Sequence, residues 1–238
     1  MSFVNFIMNS ICIIPARGGS KRIPRKNIKD FMGKPIIAYS IAAAVESGLF
    51  DEVMVSTDDA EIAQVALKFG AKVPFKRSAE NSNDYATTAD VLEEVIVNYK
   101  RAGLEFSHAC CLYPTAPFVT PEYLKEGENM LLDPEVVSVF PVVKFDYPIW
   151  RGLKKMESGG MEMVWKEHLN SRSQDLQPVY HDAGQWYWFK VEKFLSSKTV
   201  FSDNSKGVEI TSLEVQDIDT EHDWQLAELK YGYLQSIK

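Results

Sequence analysis

Thirteen residues, Pro15-Ala-Arg-Gly-Gly-Ser-Lys-Arg-Ile-Pro-Arg-Lys-Asn27, hold the densest chemistry in this 238-residue chain. Gly18 and Gly19 are expected to let the backbone turn tightly and offer N–H groups to an anion. Arg17, Lys21, Arg22, Arg25 and Lys26 supply charge for a polyphosphate, which arginine binds bidentately. A solvated basic loop is the plain alternative. The glycines, and the place directly after a buried apolar run, favour a triphosphate site. Neither G-x-x-x-x-G-K-[ST] nor G-x-G-x-x-G occurs, which disfavours a P-loop ATPase and a Rossmann dehydrogenase.

A second constellation lies near the far end, where Asp217 and Asp219 flank Ile218. On an extended segment this spacing puts both carboxylates on one side and turns Ile218 into apolar packing. Like charges so close repel, and a divalent cation relieves them; Mg²⁺ takes one or two carboxylates and completes its shell with phosphates and water. The alternative for Asp219 is a helix cap, since a closing helix over 219–233 needs Asp219 or Thr220 at its start.

Positioning these groups requires strands and helices in alternation. Ile11–Pro15 is a short apolar run, and 34–47 is helical, with Ile37, Ile41 and Val45 four apart and Gly48 placed to stop it. A strand over 52–56 precedes a helix over 58–69 capped by Thr57 or Asp58. A short strand at 72–75, a helix at 88–101, a strand at 107–113, a helix opened by Thr120-Pro121-Glu122 and a strand at 135–142 follow. Such alternation predicts a parallel sheet with helices on both faces and the ligand beyond the carboxyl ends of the strands. Loops 16–30, 57–59 and 113–119 then share one edge. From 146 to 178 the alternation fails; this stretch is expected to be an inserted arm in a single domain spanning 1–238. Strand character resumes at 185–190, where Trp186, Tyr187 and Trp188 alternate as packing residues, with one face left to stack on a ligand.

Lys+Arg 26 against Asp+Glu 33 gives a net charge of −7, which argues against a general nucleic-acid binder. No stretch is long and apolar enough to span a bilayer. The first residues lack the basic region and cleavage site of an export signal, and Met8 offers an alternative start. Cys12, Cys110 and Cys111 are odd in number and lack metal-ligand spacing, as expected of reduced core thiols in a cytoplasmic protein.

The basic loop resembles the signature of the sugar nucleotidyltransferases, specifically the cytidylyltransferases that activate nine-carbon acidic sugars (the nonulosonates, including sialic acid). Six segments in order carry the resemblance: IIPARGGSKRIPRKN, the following GKPIIAYSI, VSTDD at 55–59, KRSAENSNDYATT at 76–88, LYPTAPF at 112–118 and DIDTEHDW at 217–224, while YHDAGQWYWF at 180–189 speaks to the branch within the family. The segment 180–189 is most similar to the branch that acts on pseudaminic acid. The resemblance implies a three-layer α/β, Rossmann-like nucleotidyltransferase fold, CTP and an acidic sugar as substrates, Mg²⁺ as cofactor, and a homodimer made through the arm. It implies roles as well. Ala16, Arg17, Gly18, Gly19, Ser20 and Lys21 form the phosphate loop. Lys26 and Asn27 stand beside the reacting phosphate and ribose. Arg77, Asn83 and Asp84 hold the cytidine, with Thr115 on the retained Pro-Thr turn. Asp217 and Asp219 hold the metal; Lys26, Arg17 and Asp219 carry the catalysis. Tyr113 stands where sialic-acid enzymes carry Gln. His181, Asp182 and Gln185 face the sugar, and Arg172 reaches it from a neighbouring subunit's arm. Sialic, legionaminic and eight-carbon ulosonic acids are alternative sugars, and a CTP-sensing module is the non-enzyme alternative.

Overall fold

In the computed structural model, which describes residues 6–237, the chain folds around a strand that is buried on both faces. β1 (Phe6–Pro15) runs further back than the apolar run at Ile11 suggests, pairing with β5 from Phe6 onward. Of the stretch before Met8, residues 1–5 lie outside the described residues.

The elements follow in order. A short β2 (Asp30–Phe31) and β3 (Lys34–Pro35) form a hairpin. They take up the start of the expected 34–47 helix, so α1 is Ile37–Ser47, closed at Gly48 with φ 66°. After β4 (Glu52–Ser56), α2 (Ala60–Lys68) is capped by Asp59, one residue beyond the expected pair. The strand expected at 72–75 is reduced to isolated bridges from Lys72 and Lys76. α3 (Thr88–Arg101), β5 (Leu104–Leu112) and α4 (Pro121–Leu131) follow, then β6 (Ser138–Lys144). Residues 146–178 hold a small hairpin of β7 (Leu153–Lys155) and β8 (Met161–Met163). β9 (Tyr180–Asp182), β10 (Trp186–Lys190), α5 (Val191–Ser197), β11 (Ser205–Ile210) and α6 (Glu221–Ser236) complete the fold.

The main sheet has the order β11-β6-β10-β5-β1-β4, with β9 paired to β6 beside β10. Three neighbouring pairs are parallel, and β9 and β10 run against the rest. Alternation along the strands sorts side chains between two helical layers. Cys12, Ile14, Cys110, Leu112, Trp186 and Trp188 face α1, α2 and α4. Ile11, Ile13, Ala109, Cys111, Tyr187 and Phe189 face α3 and α5. Burial on both faces is why these strands lack a polar alternation in sequence. Their aromatic residues are packing residues, as expected.

A third cluster, outside the sheet, sets the functional edge. Ile23 from the basic loop packs with Phe31, Ile36, Phe118, Ile218, Trp224 and Ala227. Ile23 and Ile218 are each 1% exposed, and burying such side chains stabilises by roughly 1.5–3 kcal/mol each. The cluster fastens the loop after β1 to the segment before α6.

Candidate active site

Beyond the carboxyl ends of β1 and β5 lies a cavity of about 440 Å³ lined by Arg17, Ser20, Lys21, Arg22, Lys26, Asn27, Thr115 and Asp219. The loop is shaped by polar braces. Asn27 is buried and its Nδ2 donates to the Arg17 carbonyl at 2.9 Å. The Gly18 N–H donates to Asp58 Oδ1 at 3.0 Å. It is therefore engaged, and neither Gly18 nor Gly19 adopts positive φ. The expectation that both glycines turn the chain tightly and offer their N–H groups to an anion is corrected at Gly18. Glycine is needed there because a Cβ would meet Asp59 Oδ2 at 2.8 Å. Arg25 departs from its expected role too. Its guanidinium grips Asp59 at 2.5 and 2.9 Å and Glu61 at 2.5 Å, tying the loop to the start of α2 instead of lining the cavity. That hydrogen bond is the main reason the Asp59 carboxyl is held down at about 2.

The remaining loop cations divide between two acids. Arg17 and Lys21 both pair with Asp84, so this carboxylate sits on the phosphate loop as well as on the base side. Arg22 meets Asp219 at 2.9 Å, while Lys26 Nζ donates to the Ile218 carbonyl at 2.6 Å and lies 3.5 Å from Asp219 Oδ1. Thr220 caps α6 in a reciprocal box with Asp223. Asp219 is thereby free of the capping role that the sequence leaves open. Asp217 belongs to the next cavity, and its carboxyl is pushed above the ordinary range by the crevice walls and then by Asp219.

A second, smaller cavity of about 240 Å³ adjoins the first through Pro15, Arg17 and Tyr113, and adds Arg77, Asn81, Asn83, Asp84, Thr87 and Thr88. Arg77 is 7% exposed and donates to Ser56 through Nε–Oγ at 3.0 Å and Nη2–carbonyl at 2.5 Å. Desolvation by burial lowers its pKa. A buried cation whose hydrogen bonds go to neutral oxygens suits a pocket floor that receives acceptor atoms.

The third cavity, about 560 Å³, is lined by Lys144, Asp146, Tyr147, His181, Asp182, Asp217 and Lys230 among others. His181 and Asp182 are both exposed to it. Gln185 is not: it is 3% exposed and its Nε2 donates to the Glu214 carbonyl at 2.7 Å. Its expected contact with a sugar is replaced by a brace between β10 and the segment leading to Asp217. Arg172 stands exposed in the arm and lines none of the three cavities. Reasoning from sequence missed Lys144 and Lys230, which belong to no motif and are brought in by the end of β6 and by α6, and gave no site role to Ser56 and Asp58 of the 55–59 segment, which the end of β4 sets against Arg77 and Gly18.

Two carboxylates at the seam between the first and third cavities fit a divalent cation of the Mg²⁺ kind. Among the described residues no cluster of three or more His, Cys, Asp or Glu has metal-binding geometry, and Mg²⁺ in phosphate-transfer sites needs only one or two carboxylates beside substrate oxygens. No helix among the described residues is long and apolar enough to cross a membrane.

Similarity to known proteins extends over most of the chain. The family model for cytidylyltransferases matches residues 11–223. A pseudaminic acid cytidylyltransferase of Campylobacter jejuni is 43% identical over 224 residues, covering 94% of this chain and 97% of its own. A CMP-N,N'-diacetyllegionaminic acid synthase of Legionella pneumophila is 33% identical over 230 residues, covering 93% and 95%. Among solved structures, CMP:2-keto-3-deoxy-manno-octonic acid synthetase complexed with CTP superposes with a TM-score of 0.67 at 20% identity, over 96% of this chain and all of that one. That likeness is one of fold.

Proposed function

The chain belongs to the cytidylyltransferase family, and on that premise we propose that it transfers CMP from CTP to the anomeric hydroxyl of pseudaminic acid, a nine-carbon acidic sugar, releasing pyrophosphate. The observation that carries this reading is the order of the three cavities. A cationic cavity opens on one side to a small pocket floored by Arg77 and meets, at the 217–219 segment, a wider crevice holding His181 and Asp182. Pseudaminic acid is preferred to the other nonulosonates because the 43% identical relative is named for it and the legionaminic relative is more distant.

In this reading Arg17, Ser20 and Lys21 take the triphosphate, with Ala16, Gly18, Gly19 and Asn27 shaping the loop and Thr115 opposite. A triphosphate must compete with Asp84 for Arg17 and Lys21. The cytosine lies over Arg77 beside Asn83 and Asp84. The sugar hydroxyl attacks the α-phosphorus in line; one oxygen–phosphorus bond forms as the bond to pyrophosphate breaks, without a covalent enzyme intermediate. Lys26 and Arg17 meet the charge that grows on the phosphoryl and leaving oxygens. A divalent cation held by Asp217 and Asp219 would neutralise phosphate charge at the same place. Lys26, bonded to the Ile218 carbonyl, keeps that pair against the loop. His181 and Asp182 bind the sugar. The arm at 146–178 forms a homodimer contact that brings Arg172 to the partner's crevice, and the protein works in the cytoplasm.

The test is a panel of nonulosonic acids mixed with Mg²⁺ and CTP, ATP or GTP, scored by CMP-sugar formation and pyrophosphate release. Pseudaminic acid with CTP is expected to give the highest turnover. Equal turnover with a purine triphosphate refutes the cytidine pocket, and CTP binding with no turnover on any sugar returns the protein to a sensor.

A further inference from the structure

Tyr187 sits directly behind the sugar crevice. It is 5% exposed, and its hydroxyl donates to Asp182 Oδ2 at 2.5 Å. The other carboxylate oxygen, Oδ1, accepts the Gly184 N–H at 3.0 Å. Asp182 is thus held at both oxygens by its own β9–β10 segment while it lines the crevice beside His181. Burial first, and then the bond to Asp182, raise the Tyr187 pKa far above neutrality. The phenol is a donor at any working pH.

The contact does not end there. The Tyr187 ring lies 5.6 Å from that of Tyr113, the two planes tilted by 60°. The Tyr113 hydroxyl stands 3.3 Å from Thr88 Oγ1. Thr88 and Tyr113 line the small pocket assigned to the base. A line of side-chain contacts, Thr88–Tyr113–Tyr187, therefore runs from the nucleotide pocket to the carboxylate at the sugar crevice.

We propose that Tyr187 is a positioning residue for sugar selection: it fixes Asp182 as an oriented acceptor for an N–H or O–H group of the acidic sugar, and Tyr113 ties that orientation to the nucleotide pocket. The proposal rests on the CMP-transfer reading above. A carboxylate only accepts hydrogen bonds, so a sugar offering acceptors alone at that point sets them against its remaining lone pairs and is rejected. A carboxylate free to rotate reads the same donor less well, because its orientation must be fixed at binding.

The test compares steady-state kinetics of wild type, Tyr187→Phe, Asp182→Asn and the double variant, with an acidic sugar and CTP each varied. Tyr187→Phe removes one hydroxyl from a buried ring and is expected to raise KM for the sugar by about 10-fold, the size of a hydrogen bond to a charged group. The kcat and the KM for CTP are expected to stay within about 2-fold. On the Asp182→Asn background the same change is expected to add under about 2-fold, because the two residues act as one unit. Tyr113→Phe is expected to raise the sugar KM in the same direction by a smaller factor. An unchanged sugar KM in Tyr187→Phe overturns the proposal, as do effects of Tyr187 and Asp182 that multiply. Parallel losses in kcat and both KM values would mark a merely structural role and overturn it too. A wild-type protein that neither binds nor turns over any acidic sugar overturns the CMP-transfer reading and this proposal together. Normal wild-type turnover with a normal Tyr187→Phe overturns this proposal alone.

Discussion

Asp219→Asn separates chemistry from architecture at the seam between the phosphate cavity and the sugar crevice. The substitution keeps the shape and removes one charge. Helix α6 is indifferent to it, because Thr220 and Asp223 provide the cap. What is lost is the ion pair with Arg22 at 2.9 Å and the longer one with Lys26 at 3.5 Å. The Asp219 side chain is 37% exposed and Arg22 67%, so these pairs are screened and together stabilise by less than about 1 kcal/mol. Relief of the repulsion felt by Asp217 offsets part of that. The thermal midpoint should fall by under about 4 °C. Turnover has more to lose: removing one preorganised electrostatic group from a phosphoryl-transfer site costs on the order of 10²–10³ in kcat, about 2.7–4 kcal/mol. The assay is pyrophosphate release from CTP and acidic sugar across an Mg²⁺ titration, with thermal unfolding on the same protein. Partial recovery with excess Mg²⁺ or Mn²⁺ is expected. Wild-type turnover at limiting Mg²⁺ would remove Asp219 from the chemistry, and a drop in midpoint of 10 °C or so would make its role structural. Thr220→Ala is the converse control, costing about 1 kcal/mol of stability with turnover retained.

Lys26→Ala is expected to lower kcat by about 10²-fold or more while raising the KM for CTP by less than about 10-fold, since Arg17, Lys21 and Arg22 still hold the triphosphate; a change in KM alone would contradict the assignment. Arg25→Gln probes the tie between the loop and α2 and gives a pH signature. The Asp59 carboxyl is depressed to about 2 chiefly by Arg25, so its contribution is present above the unfolded carboxyl pKa near 3.9 and is lost as pH falls toward 2. Denaturant unfolding should show wild type ahead by about 1 kcal/mol at neutral pH, discounted for partial exposure, with the gap closing between about pH 4 and pH 2; a gap independent of pH would refute the pairing. Sedimentation at micromolar concentration is expected to give a homodimer, driven by the arm where Met156 is 41% and Met161 59% exposed; a fully active monomer would exclude the arm from the partner's site.

Much of the sheet was legible because its physical causes are local. Ile11–Ile14 and Ala109–Leu112 are buried on both faces, and such strands announce themselves as continuous apolar runs. The cap at Thr120 and the stop at Gly48 are written in one or two residues. The errors lie where tertiary contacts choose among local options. Lys34 and Pro35 pair with the strand at Asp30 and Phe31, which delays α1 to Ile37. Thr57, Asp58 and Asp59 are all competent caps; Asp59 takes the role while Asp58 holds the Gly18 N–H. β11 and α5 went unread because Ser205–Ile210 is half polar and Val191–Ser197 is only two turns. At the site, the loop cations were legible as a group, but their division between a cavity and a brace was not. Arg25 differs from Arg22 only by what α2 places beside it. Gln185 is assigned to the sugar by the resemblance of the 180–189 segment, and only the fold brings the Glu214 carbonyl to it.

The charge pattern of the loop explains how it stays folded with five cations in thirteen residues. The five cations are met by carboxylates from three places: Asp84 before α3 takes Arg17 and Lys21, Asp59 and Glu61 at the start of α2 take Arg25, and Asp219 before α6 takes Arg22 and Lys26. These pairs differ in exposure, and that difference sorts them by role. Asp59 is 22% exposed, outside the cavity, and doubles as the α2 cap, so exchanging it for another anion would also uncap a helix. Asp84 is 44% exposed, and its partners Arg17 and Lys21 are 38% and 78% exposed. A screened pair of that kind is worth under about 1 kcal/mol. On the proposed reading, trading it for a phosphate that bonds both cations is therefore favourable, and the free energy of nucleotide binding is the difference between the two partners rather than the full attraction of the cations. The cluster of Ile23, Ile218 and Trp224 holds the backbone fixed during that exchange. Swapping partners then moves side chains and leaves the geometry between Lys26 and the 217–219 segment in place.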